Sequence, residues 1–589
     1  MNDGTNLRAQ TDAQPVEPSS PAERQERLAA WLQFPRRVIL LLIAFGLALA
    51  LIAALQGPLR PTTLGRQPPT TFGKALAGLL SGDWGVSLTT RQPVTDMIGR
   101  YLPNTLLLLG AALFLAALLA LAATLVAVLI HKLEEKAGLP GSILKGLGRL
   151  VVFGKAAMPA FGLAVFLILI FAIQLKWLPA AGMFSLGKPG DLGDRISHLI
   201  LPALALAILP AALTAQAVTR QVTLPRERAG VRLWLAGLFK GFGVLLGQIG
   251  GLISAAVLVE TVFAWPGVGR AATDAAMSRD YPLLVGVIGA CAGLILAGRL
   301  AAELFRWLER LMRLPASTQL EPSSWRKTAR VIWVVVALAL LLAPLALAIA
   351  GLTVGPDAAT KVDSRAMGQP PSASHPWGTD RLGRDLQARV FRGGLTTLGV
   401  VVLAAVIILL PSLLGGALTG FLASRRVWWA ESLADFLLLP ADALLFIPAV
   451  LAGIVMVMLL GPSAGVGLAV AVALLPRAVR VYQTLWTAAP EQRKRLALTL
   501  AGPGVLLLGG LFAGFGLVTA LDLVGWGVQP PLPTLGGMVG EATRLLTVRP
   551  EGALAPGIAI WVCAFAFYTA ADALVGFFYS KEALARLNE

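Results

Sequence analysis

The chain has 589 residues, of which 56% are hydrophobic and only 14% are charged. Together with a mean hydropathy of +0.75, this composition excludes a soluble globular protein and predicts an integral membrane protein. The net charge of +17 would suggest nucleic-acid binding in a soluble domain, but here the basic residues are spread through loops between apolar segments. We interpret them as determinants of membrane topology and expect no nucleic-acid partner.

The N-terminal region is polar before it becomes apolar. Residues 1–30 are rich in Pro, Ser and Glu, which predicts a disordered cytoplasmic tail. The apolar run after Arg36 and Arg37 begins too far along the chain, and is too long, for a signal peptide. We therefore interpret it as a retained membrane anchor.

Twelve apolar segments are long enough to cross a hydrocarbon layer of about 30 Å as α-helices. The predicted fold class is therefore all-α integral membrane. An even number of spans places both termini on one side, and the short basic loops predict that this side is the cytoplasm. The predicted spans are residues 37–56, 103–130, 149–173, 199–218, 241–263, 283–305, 330–351, 395–422, 433–460, 464–486, 502–524 and 555–579.

A long polar inside connection, residues 306–330, divides the chain into two halves of six spans. Both halves have a first span, a long outside loop ending in a charged stretch, three further spans, a basic inside loop and two more spans. This order predicts a parallel internal repeat, because six spans return the chain to its starting side. We expect one domain over residues 31–313, a linker over 314–328 and a second domain over 329–589.

A charged stretch precedes the second span of each half. It covers Gly82–Thr105 in the first half and His375–Gly394 in the second. We predict that both stretches lie outside and form a short amphipathic helix at the membrane surface. Arginine side chains that reach the interface and Asp–Arg pairs would anchor such a helix.

The second of these stretches, HPWGTDRLGRDLQARVFRGGLTTL, resembles the signature before the second helix in DppC/OppC-type permeases of dipeptide and oligopeptide ABC importers. The stretch QPPLPTLGGMVGEA, Gln529–Ala542, resembles an outside loop near the end of the same subunit. The residues that carry the family motif are Asp380, Arg381, Gly383, Arg384 and Asp385.

The first half is similar to the partner subunit, the DppB/OppB type. The resemblance implies the type I importer permease fold, with two fused permease domains that form one translocation path in a bacterial inner membrane. It also implies partners: membrane lipid, two cytoplasmic ATPase subunits and an extracytoplasmic solute-binding protein. The stretches that carry it are Gly82–Val94, Trp177–Gly182, His198–Ala207, Val259–Arg270 and Arg279–Gly286.

The cysteines and histidines indicate no cofactor chemistry. Cys291 and Cys563 each lie in an apolar run, and we expect buried thiols rather than a disulfide. The histidines His131, His198 and His375 have no neighbours at metal-ligand spacing. We see no phosphate-binding loop and no catalytic constellation in the sequence. We therefore expect no cofactor, no metal and no enzymatic activity in this chain, with ATP hydrolysed by separate subunits.

The inside loops after the fourth span of each half depart from the family. There the permeases carry a Glu-Ala-Ala element in a coupling helix that docks on the ATPase. Residues 219–243 and 480–504 show no clear Glu-Ala-Ala and are shorter than usual. An alternative therefore stays open: an accessory subunit that has lost ATPase coupling and binds another membrane complex. The coupling candidates are Arg226, Glu227, Arg228, Gly230, Arg493, Lys494, Arg495 and Gly502.

Charged residues inside spans are costly and suggest function where they face a cavity. Glu260 and Asp522 lie at matching places in the two halves. They either line an outer gate, or they cap neighbouring backbone or pair with Arg270 or another outside arginine. Asp442 would be the proton carrier if the protein were instead a secondary transporter. The predicted gate and path residues are Glu260, Pro266, Asp522, Gln529 and Asp442.

Overall fold

The described part of the chain is all-α, as the composition predicts. Beyond its helices, it contains two isolated β-bridges and no longer strand pairing. The computed structural model describes residues 21–55, 72–137, 159–185, 187–188, 190–222, 231–312, 325–425, 427–461, 465–487, 492–543 and 551–578.

The helices are numbered here in chain order. The helix Ala160–Leu167 continues into a π-helical turn over Ile168–Gln174. In the first half the helices are α1 Pro21–Leu55, α2 Phe72–Ser81, α3 Val94–Ala137, α4 Ala160–Leu167, α5 Leu192–Val222, α6 Val231–Gly247, α7 Ile249–Val262, α8 Val268–Met277 and α9 Tyr281–Met312. In the second half they are α10 Trp325–Thr353, α11 Pro356–Thr360, α12 Leu386–Ser424, α13 Trp428–Leu444, α14 Ala449–Leu460, α15 Gly465–Thr487, α16 Gln492–Leu523, α17 Leu535–Thr543 and α18 Glu551–Phe578.

The number of membrane-spanning helices in the structure agrees with the predicted number of about twelve. Within the described residues, nine single helices are long and apolar enough to cross a bilayer, and two bent helix pairs raise the number to eleven. The third predicted span, residues 149–173, lies partly outside the described residues. Its described part belongs to the apolar stretch Ala160–Gln174, which is too short to cross alone.

The packing order repeats between the halves. Helix α3 packs along α5, and the corresponding α12 packs along α15. Helix α1 packs on α9, and α10 packs on α18. The short helices α8 and α17 each follow the fifth span of their half. The two six-span halves therefore have the same internal architecture.

Among the described residues, the most extensive helix contacts between the halves join α1 with α13, α7 with α14, and α4 with α18. Arg36 on α1 forms an ion pair with Asp435 on α13, at 2.6 Å between Nη2 and Oδ2. The seam between the halves thus includes charged side chains as well as apolar packing.

Helix α1 begins at Pro21, so the last ten residues of the predicted tail 1–30 are helical rather than disordered. Proline is favoured in the first helical turn. The residues that follow it, AERQERLAA, are nearly all strong helix formers. The tail prediction was therefore wrong for residues 21–30, while residues 1–20 lie outside the described part. The predicted linker 314–328 overlaps the start of α10, which begins at Trp325.

Two spans that the sequence predicts as straight are bent. The predicted span 433–460 consists of α13 and α14, which meet at 79°. Pro448 caps α14 and disfavours a helical conformation at the preceding residue, which explains the break. The predicted span 241–263 consists of α6 and α7, bent by 49° at Gln248. Helix α6 begins at Val231, which shortens the predicted inside loop 219–243.

Candidate functional site at the outer face and between the halves

The charged stretches do not form separate interfacial helices within the described residues. They are turns that lead directly into the second span. Helix α12 begins at Leu386 and α3 at Val94, each nine residues before the predicted spans at 395 and 103. Asp385 caps α12, since its side chain accepts from the Ala388 N–H at 2.7 Å. His375 Nδ1 lies 2.9 Å from Asp385 Oδ2 and holds the cap in place.

The arginines of the second stretch form a buried ion network rather than a membrane anchor. Asp380 accepts from Arg384 Nε at 2.7 Å and from Arg389 Nη1. Glu541 on α17 accepts from Arg384 Nη2 at 2.9 Å and from Arg389 Nη1 at 3.0 Å. Arg389 is only 3% exposed. The network therefore joins the start of α12 to α17, whereas Arg381 is exposed.

Gly383 is required by the turn that presents this network. Its φ of +75° lies in the left-handed region, which side chains disfavour. A Cβ at this position would also collide with the backbone carbonyl of Asp363. The turn allows the Asp380 carboxylate to accept the Leu382 N–H at 2.8 Å and the Arg384 N–H at 3.0 Å.

The Asp380 carboxyl should make the stability of the second half decrease at low pH. Burial alone would raise its pKa, but Arg389 and Arg384 outweigh burial and hold the pKa below its usual 3.8. Because the folded-state pKa is lower than the unfolded one, the carboxylate contributes fully above about pH 5. This contribution is lost as the pH falls through the folded-state pKa. We expect the thermal unfolding midpoint of the detergent-solubilised protein to decrease when the pH is lowered below about 4.

Substitution of Asp380 tests this pH dependence. In Asp380→Asn the unfolding midpoint should be lower at neutral pH and should change less between pH 6 and pH 3, as followed by tryptophan fluorescence. Asp357, an exposed carboxylate in α11, provides the control. Asp357→Asn should keep the wild-type dependence. If the unfolding midpoint of Asp380→Asn decreased with pH as steeply as that of the wild type, Asp380 would not be the source of the pH dependence.

Glu260 is fully buried near the C-terminal end of α7. Its Oε1 accepts from the Thr105 hydroxyl at 2.6 Å. Its Oε2 accepts from the backbone N–H groups of Gly269 at 2.7 Å and Arg270 at 3.1 Å. These N–H groups belong to the first turn of α8, where no backbone acceptor is available. The side chain therefore holds α8 against the second span, and the geometry favours the capping alternative over an open gate.

The second half repeats this arrangement. Thr105 accepts the Val268 N–H at 2.8 Å, and Thr397 accepts the Leu535 N–H at 3.1 Å. Asp522, which corresponds to Glu260, is buried and accepts the Val528 N–H at 2.9 Å. In both halves a threonine on the second span thus binds the short helix that follows the fifth span. An acidic residue at the end of the fifth span binds the backbone beside it.

Asp280 in the first half and Glu541 in the second have the same role: each fixes the start of the second span to the region after the fifth span. It accepts from the Ser87 hydroxyl and from the backbone N–H groups of Leu88 at 3.1 Å and Thr89 at 3.4 Å. The loop before α3 is thereby fixed to the segment after α8. The sequence reasoning assigned no role to Asp280, Glu541 or the two threonines. The signal that could have revealed the two threonines is their equivalent position in both repeats, eleven residues after the start of α3 and of α12.

The other two outer residues predicted for the path support local structure. The Pro266 carbonyl accepts from Asn104 Nδ2 at 2.9 Å. Gln529 is exposed, and its Nε2 donates to the carbonyls of Gly525 at 3.2 Å and Gly527 at 3.1 Å.

Asp442 forms a two-pronged ion pair with Arg480. The first contact joins Arg480 Nε and Asp442 Oδ1 at 2.6 Å, and the second joins Nη2 and Oδ2. Nearby, Arg299 Nη2 donates to the Leu445 carbonyl at 3.0 Å across the seam. Its guanidinium carbon is 4.6 Å from the Phe446 ring centroid. Both carboxylate oxygens of Asp442 are thus engaged by a single arginine.

Four of the eight coupling candidates fall outside the described residues. Of those described, Gly502 lies in α16 and packs against the Tyr482 ring. Helix α16 includes Arg493, Lys494 and Arg495, whose side chains are not described. The candidates outside the described residues are Arg226, Glu227, Arg228 and Gly230.

Comparison with known proteins gives a consistent result. No family model matches the chain. The oligopeptide transport system permease protein AppB of Bacillus subtilis (strain 168) is 30% identical over 251 residues, covering 39% of this chain and 76% of AppB. The di/tripeptide permease DppB of Pseudomonas aeruginosa (strain UCBPP-PA14) is 30% identical over 246 residues, covering 36% of this chain and 70% of DppB.

A third relative, the glutathione transport system permease protein GsiC of Shigella flexneri serotype 5b (strain 8401), is 28% identical over 233 residues, or 36% of this chain and 69% of GsiC. Each alignment spans little more than a third of this chain but over two thirds of the relative. This proportion fits a polypeptide that fuses two permease units. The chain therefore belongs to the family of peptide ABC-transporter permeases.

Proposed function

We propose that this protein is the membrane-spanning path of an importer for peptides or similar small solutes, working by alternating access. One observation carries the proposal: both halves hold the short outer helix by the same threonine contact, Thr105 with Val268 and Thr397 with Leu535. A permease relative aligns with little more than a third of the chain. The repeated contact supports the presence of a second, equivalent unit beside it.

The contacts suggest how the halves move. Within each half, polar contacts fix the outer helix to the second and fifth spans, which favours movement of the half as a rigid body. The seam between α7 and α14 is where the path would open and close. Rocking of two repeats about a shared axis is a common mechanism of alternating access.

The transport energy would come from other subunits. We propose two cytoplasmic ATPase subunits and an extracytoplasmic solute-binding protein as partners, because the resemblance implies both. The protein would lie in a bacterial inner membrane with both termini in the cytoplasm, since its short basic loops would then face inward.

A second function is favoured by one observation, the shortness of the inside connections. Helix α5 ends at Val222 and α6 begins at Val231, which leaves the eight residues 223–230. Helix α15 ends at Thr487 and α16 begins at Gln492, which leaves the four residues 488–491. These lengths leave little room for a separate docking helix. They favour an accessory subunit that has lost ATPase coupling and binds another membrane complex.

Purification from the native membrane separates these functions. If the protein is an importer path, a tagged chain solubilised in mild detergent should retain about two ATPase polypeptides per chain. The purified complex should hydrolyse ATP, and its measured mass should match that composition. A matched purification with an unrelated tagged membrane protein controls for adventitious capture. Co-purification with a different complex and no ATPase would overturn the importer proposal and support the accessory function.

A further inference from the structure

The break between α13 and α14 lies inside an apolar segment, the predicted span 433–460. Helix α13 ends at Leu444 and α14 begins at Ala449, and the chain changes direction by 79° between them. A helix that ends inside a span leaves backbone carbonyl and N–H groups without partners in their own helix. In an apolar interior such groups need other partners. The bend, residues 445–449, therefore depends on polar groups from neighbouring helices.

Two of these polar groups belong to the first half. Arg299 on α9 donates from Nη2 to the Leu445 carbonyl at 3.0 Å. Ser254 on α7 accepts the Ala449 N–H at 3.0 Å, and its hydroxyl donates to the Gly250 carbonyl of its own helix at 3.0 Å. The first contact pairs a carbonyl at the C-terminal end of α13, and the second pairs an N–H at the N-terminal end of α14. Both ends of the break are thus held by side chains of the other half.

An aromatic ring of the bend packs against the same side of the first half. Phe446 is completely buried. The guanidinium carbon of Arg299 is 4.6 Å from the centroid of its ring. Phe45 on α1 meets the ring edge to face, with 5.6 Å between the two centroids. Side chains from three helices of the first half, Phe45, Ser254 and Arg299, therefore form a socket in which the bend of the second half lies.

The serine contact is not repeated in the other half. Trp265 and Trp526 occupy equivalent positions after the fifth span, because the backbone N–H of each bonds to the carbonyl five residues earlier. Eleven residues before Trp265 is Ser254, whereas eleven residues before Trp526 is Phe515, which has no hydroxyl and is fully buried. The internal repeat therefore does not account for Ser254. Its contact serves the junction between the halves.

We propose that this socket is the main site at which the first half binds the second, and that the bend is the element it recognises. Residues that dominate an interface are typically aromatic and arginine side chains in its desolvated centre. An arginine over an aromatic ring contributes more when both are buried. The partner that fits the socket is a bent helix pair that presents a carbonyl, an aromatic ring and a free N–H within five residues. The inference goes beyond the proposed function and applies equally to an importer path and to an accessory subunit.

Cleavage of the chain between its halves tests this site. A protease site inserted between residues 313 and 324, which lie outside the described helices, allows the folded protein to be cut in detergent. A C-terminal tag then captures the second half, and the amount of first half retained over a dilution series gives an apparent dissociation constant. We expect the cut wild-type halves to stay bound. Halves that separate on cutting without any substitution would overturn the proposal.

Substitutions in the bend and in the socket should weaken this binding. Phe446→Ala should raise the apparent dissociation constant at least about thirtyfold, and Arg299→Met at least about tenfold. The two changes should combine less than additively, because they remove the same contact. The thermal unfolding midpoint before cutting identifies a variant that does not fold. Arg299→Met leaves the packing of the two phenylalanine rings in place and provides the result if Phe446→Ala fails to fold.

Two matched variants control for general effects of substitution. Phe436→Ala removes an exposed aromatic ring from α13, and Arg36→Met removes an exposed ion pair across the same seam. Each should change the apparent dissociation constant by less than about fivefold. If Phe446→Ala had no larger effect than Phe436→Ala, or Arg299→Met no larger effect than Arg36→Met, the socket would not be the main binding site.

A cysteine pair tests the contact directly. Ser254→Cys with Ala449→Cys should form a disulfide under mild oxidation, because Ser254 Oγ and Ala449 N are 3.0 Å apart. The two fragments of the cut chain should then run as one band without reductant. Ser254→Cys with Leu460→Cys is the control, since Leu460 lies about 16 Å further along α14. The native Cys291 and Cys563 are buried and should not interfere. Failure of the first pair to cross-link, or equal cross-linking of both pairs, would overturn the proposal.

Discussion

Glu260→Ala is expected to destabilise the outer end of the first half by about 2–5 kcal/mol, because three donors would lose a buried acceptor. Two of them are the backbone N–H groups of Gly269 and Arg270, and the third is the Thr105 hydroxyl. Glu260→Gln keeps one acceptor oxygen and should cost less. The measurement is the thermal unfolding midpoint in detergent, followed by fluorescence and by loss of the monodisperse peak.

Glu431 provides the matched control for this change. It is a glutamate on α13 whose side chain is 42% exposed and which pairs with Arg36 at 3.6 Å. Because an exposed ion pair contributes at most about 1 kcal/mol, Glu431→Ala should barely shift the midpoint. Thr105→Val should combine less than additively with Glu260→Ala, since both remove the same contact. Equal midpoints for the two alanine variants would refute the structural role of Glu260.

Arg389→Met should have an effect of similar size on the second half, about 3–5 kcal/mol, because it breaks a buried ion network. Arg389 contacts both Asp380 and Glu541, and its loss leaves Arg384 as their remaining arginine partner. The start of α12 would then separate from α17. We expect a lower unfolding midpoint and faster protease cleavage of the loop before Leu386.

Arg381 offers a control within the same motif. It is exposed, so Arg381→Met should change the free energy of unfolding by less than about 0.5 kcal/mol. Glu541→Gln should fall between the two arginine variants, because the Glu541 side chain is 39% exposed. If Arg381→Met and Arg389→Met proved equally destabilising, the network would not hold the two helices together.

The spans could be predicted from the sequence because a bilayer requires long apolar helices, whatever their tertiary packing. The ends and bends could not be predicted as well. Hydropathy locates the apolar part of α12, but the helix begins nine residues earlier, where the Asp385 side chain caps it. The break between α13 and α14 was missed because proline is common in spans that remain continuous.

The residues of the site were only partly accessible to sequence reasoning. Glu260 and Asp522 were recognised because charges in apolar segments are rare, but their role depends on contacts with distant residues. Glu541 is 152 residues from Arg389, and Asp280 is 193 residues from Ser87. No local pattern indicates such pairs.

The ion pair between Arg36 and Asp435 across the seam has a consequence for assembly. Two separately made subunits must lose translational and rotational freedom when they associate, and their interface must compensate for that loss. In one polypeptide the halves are present at a high effective concentration and in a fixed 1:1 ratio. A fused seam can therefore be more polar and weaker, and separate more readily during a transport cycle, without the halves dissociating.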